Sequence, residues 1–407
     1  VTAWVARLNR SRGRRQSSSQ GSQIEGTRLT GQNRIFAILL AFVPATLISG
    51  WLGWPPALQF FLSVAAVIPL AGLIGSATEQ LANRFGARTG GLLNATFGNA
   101  PDFLVGFFGV QRGLIPLVKA TLIGALISNS ALIMGLCYIS AGLIYGRPKF
   151  RRTEAGHHSV LMLLTVAAVL FPSAGAMAIC GGMQCTGGGA AQQVQVMSVG
   201  ISAALLVAYA GYIVFSILGA ESWRRPRTAA TPRKVPAGTW STWLSLSVLV
   251  GATVLLIPVV DTVTGTVGAV TKVLGWTDVF VGIVIVANAG NAAEAYAAIS
   301  AAIRRRAIPG GPGEDSGLDL ALGIASASSI QIATFILPVV VLVSLIFHPM
   351  TLVFGWVEIA ILGLMVLVFN YIAHDGESNW LEGLQLVVLY AMAAIVIFVL
   401  PSTAFSG

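Results

Sequence analysis

Two short stretches of this chain carry residue types that can hold a cation in oxygen: Gly98-Asn99-Ala100-Pro101-Asp102 and Gly290-Asn291-Ala292-Ala293-Glu294. In each, an amide and a carboxylate stand three positions apart, which puts them on one face of a helix. The glycine that opens each stretch lets a neighbouring helix or its backbone come close. Pro101 removes a backbone donor and frees a carbonyl of the preceding turn. Each stretch is followed by a run rich in Gly, Ser and Asn, from Gly124 to Ser130 and from Gly323 to Gln331. Carboxylates, amides, hydroxyls and carbonyls together form an all-oxygen donor set. That suits a hard cation such as Ca2+, which takes roughly six to eight oxygens. The candidate ligands are Asp102, Glu294, Asn99, Asn291, Gly98, Gly290, Asn129, Ser128, Ser328 and Gln331.

The rest of the chain sets the solvent these residues meet. A hydrophobic share of 55%, a charged share of 10% and a mean hydropathy of +0.81 exclude a soluble globule, in which charged residues make up about 25%. Apolar runs long enough to cross roughly 30 Å of hydrocarbon as helix recur along the chain. Runs such as 35–48 and 381–400 do not alternate, which excludes a transmembrane β-barrel. The expected fold is therefore an all-α integral membrane protein lying in the lipid bilayer.

Eleven spans are expected, at 34–52, 56–83, 90–112, 115–140, 158–178, 194–219, 241–262, 276–304, 317–347, 350–373 and 379–402. With the N-terminus inside, the inner segments collect the arginine-rich head, then Arg84 and Arg88, then 147–152, then 224–234, and finally Arg304 to Arg306. The outer segments keep only Arg112 and Lys272, a bias that orients the chain with its N-terminus in the cytoplasm. The net charge of +9 is thus topological, and no nucleic-acid partner is expected. No cleavable signal peptide is evident, because the head is long and polar before the first apolar run. The expected organisation is a disordered basic tail over 1–33, a first helix over 34–55, five helices over 56–219, a basic cytoplasmic linker over 220–240, and five more helices over 241–407. An odd number of helices in each unit threads the second unit upside down, so the two motifs belong to an inverted repeat.

A carboxylate at membrane depth is costly unless paired, hydrated or protonated, so Asp102 and Glu294 read as functional rather than as packing. Serines such as Ser128, Ser328 and Ser329 can equally serve helix packing alone. A desolvated carboxylate holds a proton until a cation displaces it, so proton and cation would compete for the two acids. A weaker echo pairs Glu79 with Asp261, in the opening helix of each unit; with Asp102 and Glu294 they are candidates for proton coupling or gating. Cys180 and Cys185 flank a Gly-rich loop and would pair if it faces an oxidising side. Cys137 reads as core.

These residues resemble a known family. The stretch from Gly91 to Gly135 and that from Phe280 to Pro338 look like the two signature repeats of the calcium/proton exchangers of the cation/Ca2+ exchanger superfamily. Ala77-Thr78-Glu79 and Leu274-Gly275-Trp276-Thr277-Asp278 extend the likeness, which runs from about Ile68 to the C-terminus. The resemblance implies eleven helices, two inverted five-helix repeats, and Ca2+ bound between Asp102 and Glu294 in exchange for H+. Four residue patterns depart from the family: Asp102 where Glu is usual, Ala295 where His commonly follows the second Glu, a basic middle linker, and no acid within 262–268.

The resulting expectation is a secondary active transporter exchanging Ca2+ for protons by alternating access at a midplane site, in the plasma membrane of a prokaryote. An exchanger of Na+, K+ or another divalent cation against H+ is the alternative of the same build. An intramembrane enzyme or a channel is a remote one. The chain has no H-E-x-x-H, and His157, His158, His348 and His374 fall at or near expected helix ends. No enzyme activity and no cofactor are expected, Ca2+ being substrate, and the residues leave the oligomeric state open.

Overall fold

The computed structural model describes residues 38–85, 93, 96–150, 152–183, 185, 187–216, 240–307 and 314–405. The basic tail and, apart from Trp240, the linker 220–240 lie outside the described residues. The described chain is helical: α1 (Phe42–Trp51), α2 (Pro56–Phe85), α3 (Ala100–Gln111), α4 (Ile115–Tyr145), α5 (Arg152–Cys180) and α6 (Gly188–Ser216) come first. They are followed by α7 (Thr242–Leu274), α8 (Asp278–Gly290), α9 (Ala292–Ala302), α10 (Leu318–Ser344), α11 (Trp356–Ala373) and α12 (Trp380–Val399). Between α9 and α10 a short antiparallel hairpin pairs Arg305–Ala307 with Glu314–Ser316.

Eight of the described helices are long and apolar enough to cross a membrane, or up to nine if the bent pair α8 and α9 is one span. The two other expected spans fall on α1 and α3, of 10 and 12 residues. Polar residues start several helices. Ser241 accepts from Leu244 N ahead of α7, Thr277 from Phe280 N ahead of α8, and Asn379 from Leu381 N and Glu382 N ahead of α12. Each satisfies a donor that the first helical turn leaves over.

Two packed bodies result. In one, α2 and α7 lie along each other through Phe60, Leu70, Ile74, Val259, Val263 and Val267. At one end Arg84 clasps the pair by donating to Trp240 O at 2.9 Å and Thr242 Oγ1 at 3.3 Å. In the other, α4 and α10 are the most enclosed spans, surrounded by α5, α8, α11 and α12. Lipid offers apolar side chains as good a home as protein does, so close backbone approach must hold such helices together. Gly124 of α4 provides it, since a β-carbon there would lie 2.5 Å from Ile283 Cα.

Three of these helices widen locally into π-helix: α4 at Ser128–Ile133, α8 at Val281–Val286 and α10 at Ile332–Ile336. Such turns interrupt the regular hydrogen-bond ladder and often mark functional positions. Lys119, buried in α4, is accommodated because its Nζ donates to Val353 O at 2.6 Å. Cys180 and Cys185 are joined in a disulfide with their Cα atoms 5.2 Å apart, and Cys137 is free and buried.

Candidate cation site

Both motifs sit where helix breaks. Asn291 joins α8 to α9 with φ −82° and ψ 3°, and the two helices are bent by 57°. Asn99 precedes α3 with φ −95° and ψ 23°. The reading of amide and carboxylate on one continuous helix face is therefore corrected. Each asparagine is the cap residue, and Asp102 and Glu294 are each the third residue of the helix that follows. Pro101 fits this arrangement, because a first-turn residue has no helical partner for its N–H. The break has an electrostatic result. The positive N-terminal ends of α3 and α9 favour the two carboxylates, while the closing carbonyls of α8 lose regular partners and can turn to a cation.

A chain of buried hydrogen bonds then ties the two motifs together. Asn99 Nδ2 donates to Gln331 Oε1 at 2.6 Å, and Ser328 Oγ donates to Asn99 Oδ1 at 3.3 Å. Asn129 Nδ2 donates to Ser328 Oγ at 3.1 Å, and Asn291 Nδ2 donates to Asn129 Oδ1 at 3.3 Å and to Ala125 O at 3.3 Å. Five side chains from four parts of the chain thus close one network, all within 5% exposure. Each of the three asparagines donates one amide hydrogen inside it. In the second motif Asn291 Oδ1 and Glu294 Oε2 are buried and unbonded. Buried polar atoms in that state are costly, and both of these are oxygens able to accept.

Asp102 is 2% exposed and lies against Gly290, where a β-carbon would stand 3.1 Å from its Oδ1. Glu294 is half-buried, with its Oε2 enclosed. Asp102 opens onto a small cavity walled by Val64 and Val67 of α2, Val263 of α7, Val105 of α3, and Val286 and Gly290 of α8. The carboxylate thus lies where the α2–α7 pair meets the motif helices. Among the described residues no group of three or more His, Cys, Asp or Glu is placed to hold a metal. A cation here would draw on amides, hydroxyls and carbonyls besides the two acids.

The other expected residues are placed as follows. Gly98 is buried beside Asn99. Ser128 stands apart from the chain of five and donates to Asn288 Oδ1 at 2.7 Å. Glu79 is exposed on α2, and Asp261 pairs with Arg112 Nη2 at 2.7 Å, so neither joins the buried network. Sequence reasoning missed Asn288 and Tyr390. Asn288 Nδ2 donates to Val284 O at 2.7 Å and to the Tyr390 hydroxyl at 2.5 Å, which pins the end of α8 to α12. An amide one turn ahead of Asn291 was a readable signal; its tyrosine partner, far along the chain, was not.

The sequence profile of the sodium/calcium exchanger proteins matches residues 56–218 and 244–399. The chain belongs to that family. It is 34% identical over 371 residues to the Ca(2+)/H(+) antiporter ChaA of Bacillus subtilis, covering 90% of this chain and all of that one. A Ca(2+)/H(+) antiporter of Synechocystis is also 34% identical, over 92% of this chain and all of its own length. Among solved structures, native YfkE superposes with a TM-score of 0.74 and 32% identity, over 90% of this family member and 100% of YfkE. The H+/Ca2+ exchanger CAX shares the fold at a TM-score of 0.64 with 15% identity, over 89% of this chain and 92% of that one.

Proposed function

We propose that this protein exchanges Ca2+ for H+ across the membrane, with Asp102 and Glu294 taking proton and cation in turn. The observation that carries this reading is the pair of acids at helix starts, each three residues past an asparagine of one buried network, with Asn291 Oδ1 and Glu294 Oε2 unbonded. A cation arriving between them finds two carboxylates and the unbonded Asn291 Oδ1. It binds only when the carboxylates are free of protons, so occupancy by one ion excludes the other. Asn99, Asn129, Asn291, Ser328 and Gln331 hold the geometry, and Gly98 and Gly290 give room for backbone oxygen. Opening the cavity alternately to each side turns that exclusion into exchange without covalent chemistry. The antiporters of Bacillus subtilis and Synechocystis support Ca2+ as the cation.

The architecture we infer is eleven spans, a first helix followed by two inverted five-helix repeats, with α1 and α3 counted among the spans. Matching features favour the repeat: both motif asparagines cap a helix with an acid at its third position, and the helices that follow, α4 and α10, each carry a π-helical turn. The arginine distribution supports a cytoplasmic N-terminus, and the bacterial relatives support a prokaryotic plasma membrane.

The test is purified protein in liposomes with an imposed pH gradient, offered Ca2+, Mn2+, Na+ and K+ in turn. Uptake of Ca2+ driven by the gradient, lost in well-folded Asp102→Asn and Glu294→Gln proteins, is the expected result. No gradient-driven uptake of any of the four ions would overturn the proposal. Uptake of Na+ or K+ in place of Ca2+ would move it to a monovalent exchanger.

A further inference from the structure

The far end of α3 is tied to α7. Arg112, just past the last residue of α3, places Nη2 2.7 Å from Asp261 Oδ1 and donates from Nη1 to Thr264 Oγ1 at 2.6 Å. Its guanidinium also lies over the Phe108 ring, 5.7 Å from the centroid. Gly265 passes beside the guanidinium, where a β-carbon would lie in ordinary van der Waals contact 3.7 Å from Nη2. The two charged side chains are 32% and 46% exposed, so the pair is reached from outside the packed helices. Two residues from Asp261, Val263 lines the cavity that holds Asp102. One ion pair therefore bridges the helix that carries Asp102 and a helix of the α2–α7 pair that walls the opposite side of its cavity.

We propose that Arg112 and Asp261 form a latch, closing the Asp102 cavity on their side and parting each time that side opens. This rests on the alternating-access reading above. A path past Val263 requires α7 to move from α3, and the bonds of Arg112 to Asp261 and Thr264 oppose that movement. The planar guanidinium suits the task because one group holds the carboxylate and the Thr264 hydroxyl together. A charge-assisted pair that is partly exposed biases such an equilibrium by a factor on the order of ten, enough to favour closure without locking it.

The experiment uses the full-length protein in liposomes, with Cys137→Ala, Cys180→Ser and Cys185→Ser as background and Val105→Cys as a reporter in the cavity wall. A membrane-impermeant thiol reagent is added from each side in turn. Arg112→Ala and Asp261→Ala are each expected to speed labelling from the latch side about tenfold, and the exchanged pair Arg112→Asp with Asp261→Arg to slow it again. A second measurement in the same background without the reporter joins Arg112→Cys to Asp261→Cys by oxidation. Gradient-driven Ca2+ uptake should stop and return with reductant. Unchanged labelling in both single variants, together with full transport by the cross-linked protein, would overturn the latch. If the unaltered protein moves no ion, the exchange reading fails instead, and the labelling result still decides the latch.

Discussion

Gly290 and Asp102 face each other across the two motifs, so close that a methyl group on Gly290 would stand 3.1 Å from Asp102 Oδ1. The absent side chain leaves the carboxylate free to turn toward the cavity. Gly290→Ala should fold, because Asp102 can rotate away, but it should weaken Ca2+ binding about tenfold, or about 1.4 kcal/mol. Ca2+ titration of the purified variant measures this. An affinity equal to that of the parent protein would show that the close approach serves packing alone.

Competition between proton and cation gives a pH dependence with a definite sign. Ca2+ needs the ionised carboxylates, so its apparent affinity should fall as pH is lowered, by up to about tenfold per unit for each proton displaced. Asp102→Asn removes one of the competing groups and should flatten that slope. Ca2+ binding isotherms across a pH series would reveal it, and equal slopes in both proteins would count against Asp102 as a proton site.

The network has a stability signature. Asn129 sits between Ser328 and Asn291, donating to one and accepting from the other. Asn129→Ala leaves both partners buried and short of a bond, at a cost of about 1–3 kcal/mol. Ser328→Ala should cost a similar amount, and the two together less than their sum, since they break one shared network. Thermal unfolding in detergent of both single variants and the double variant reads this directly, with strict additivity as the contrary outcome.

At the contact of α4 with α8, a β-carbon on Gly124 would meet Ile283 Cα at 2.5 Å, which is backbone and cannot rotate aside. Gly124→Ala should therefore force the helices apart and lower stability by about 1–3 kcal/mol. Because α4 carries Asn129 and α8 leads into Asn291, Ca2+ affinity should fall as well. A variant as stable as its parent and with unaltered affinity would mean that the helices can slide without disturbing the site.

Tyr390→Phe removes the hydroxyl that pins Asn288 and leaves the ring in place. Losing one such bond costs about 1 kcal/mol. The effect should fall on the geometry of Asn291, one turn further on, and so on Ca2+ affinity rather than on the amount of folded protein. Equal affinities with equal yields would leave Asn288 as a packing contact.

Membrane insertion and the two motifs were legible in the chain itself, because both are local. Twenty or so apolar residues in helix bridge a bilayer whatever they pack against, and Asp102 and Glu294 stand out because few acids occur in such surroundings. The glycines were legible as close approaches, though not what would approach them. Folding supplied the remainder. The helix break at Asn291 depends on the neighbours that receive its amide, and the meeting of Asn99 with Gln331 spans more than two hundred residues. Pairing at such range leaves no periodic trace in sequence, since polar side chains in helices of different rank meet only when those helices cross. The same holds for Arg112 and Asp261: charge and position marked one for an outer loop and the other for an intramembrane site, and only the crossing of α3 with α7 brought them together. The residue types by themselves determined which side chains could offer oxygen to a cation, while the arrangement of those side chains was decided by packing in three dimensions.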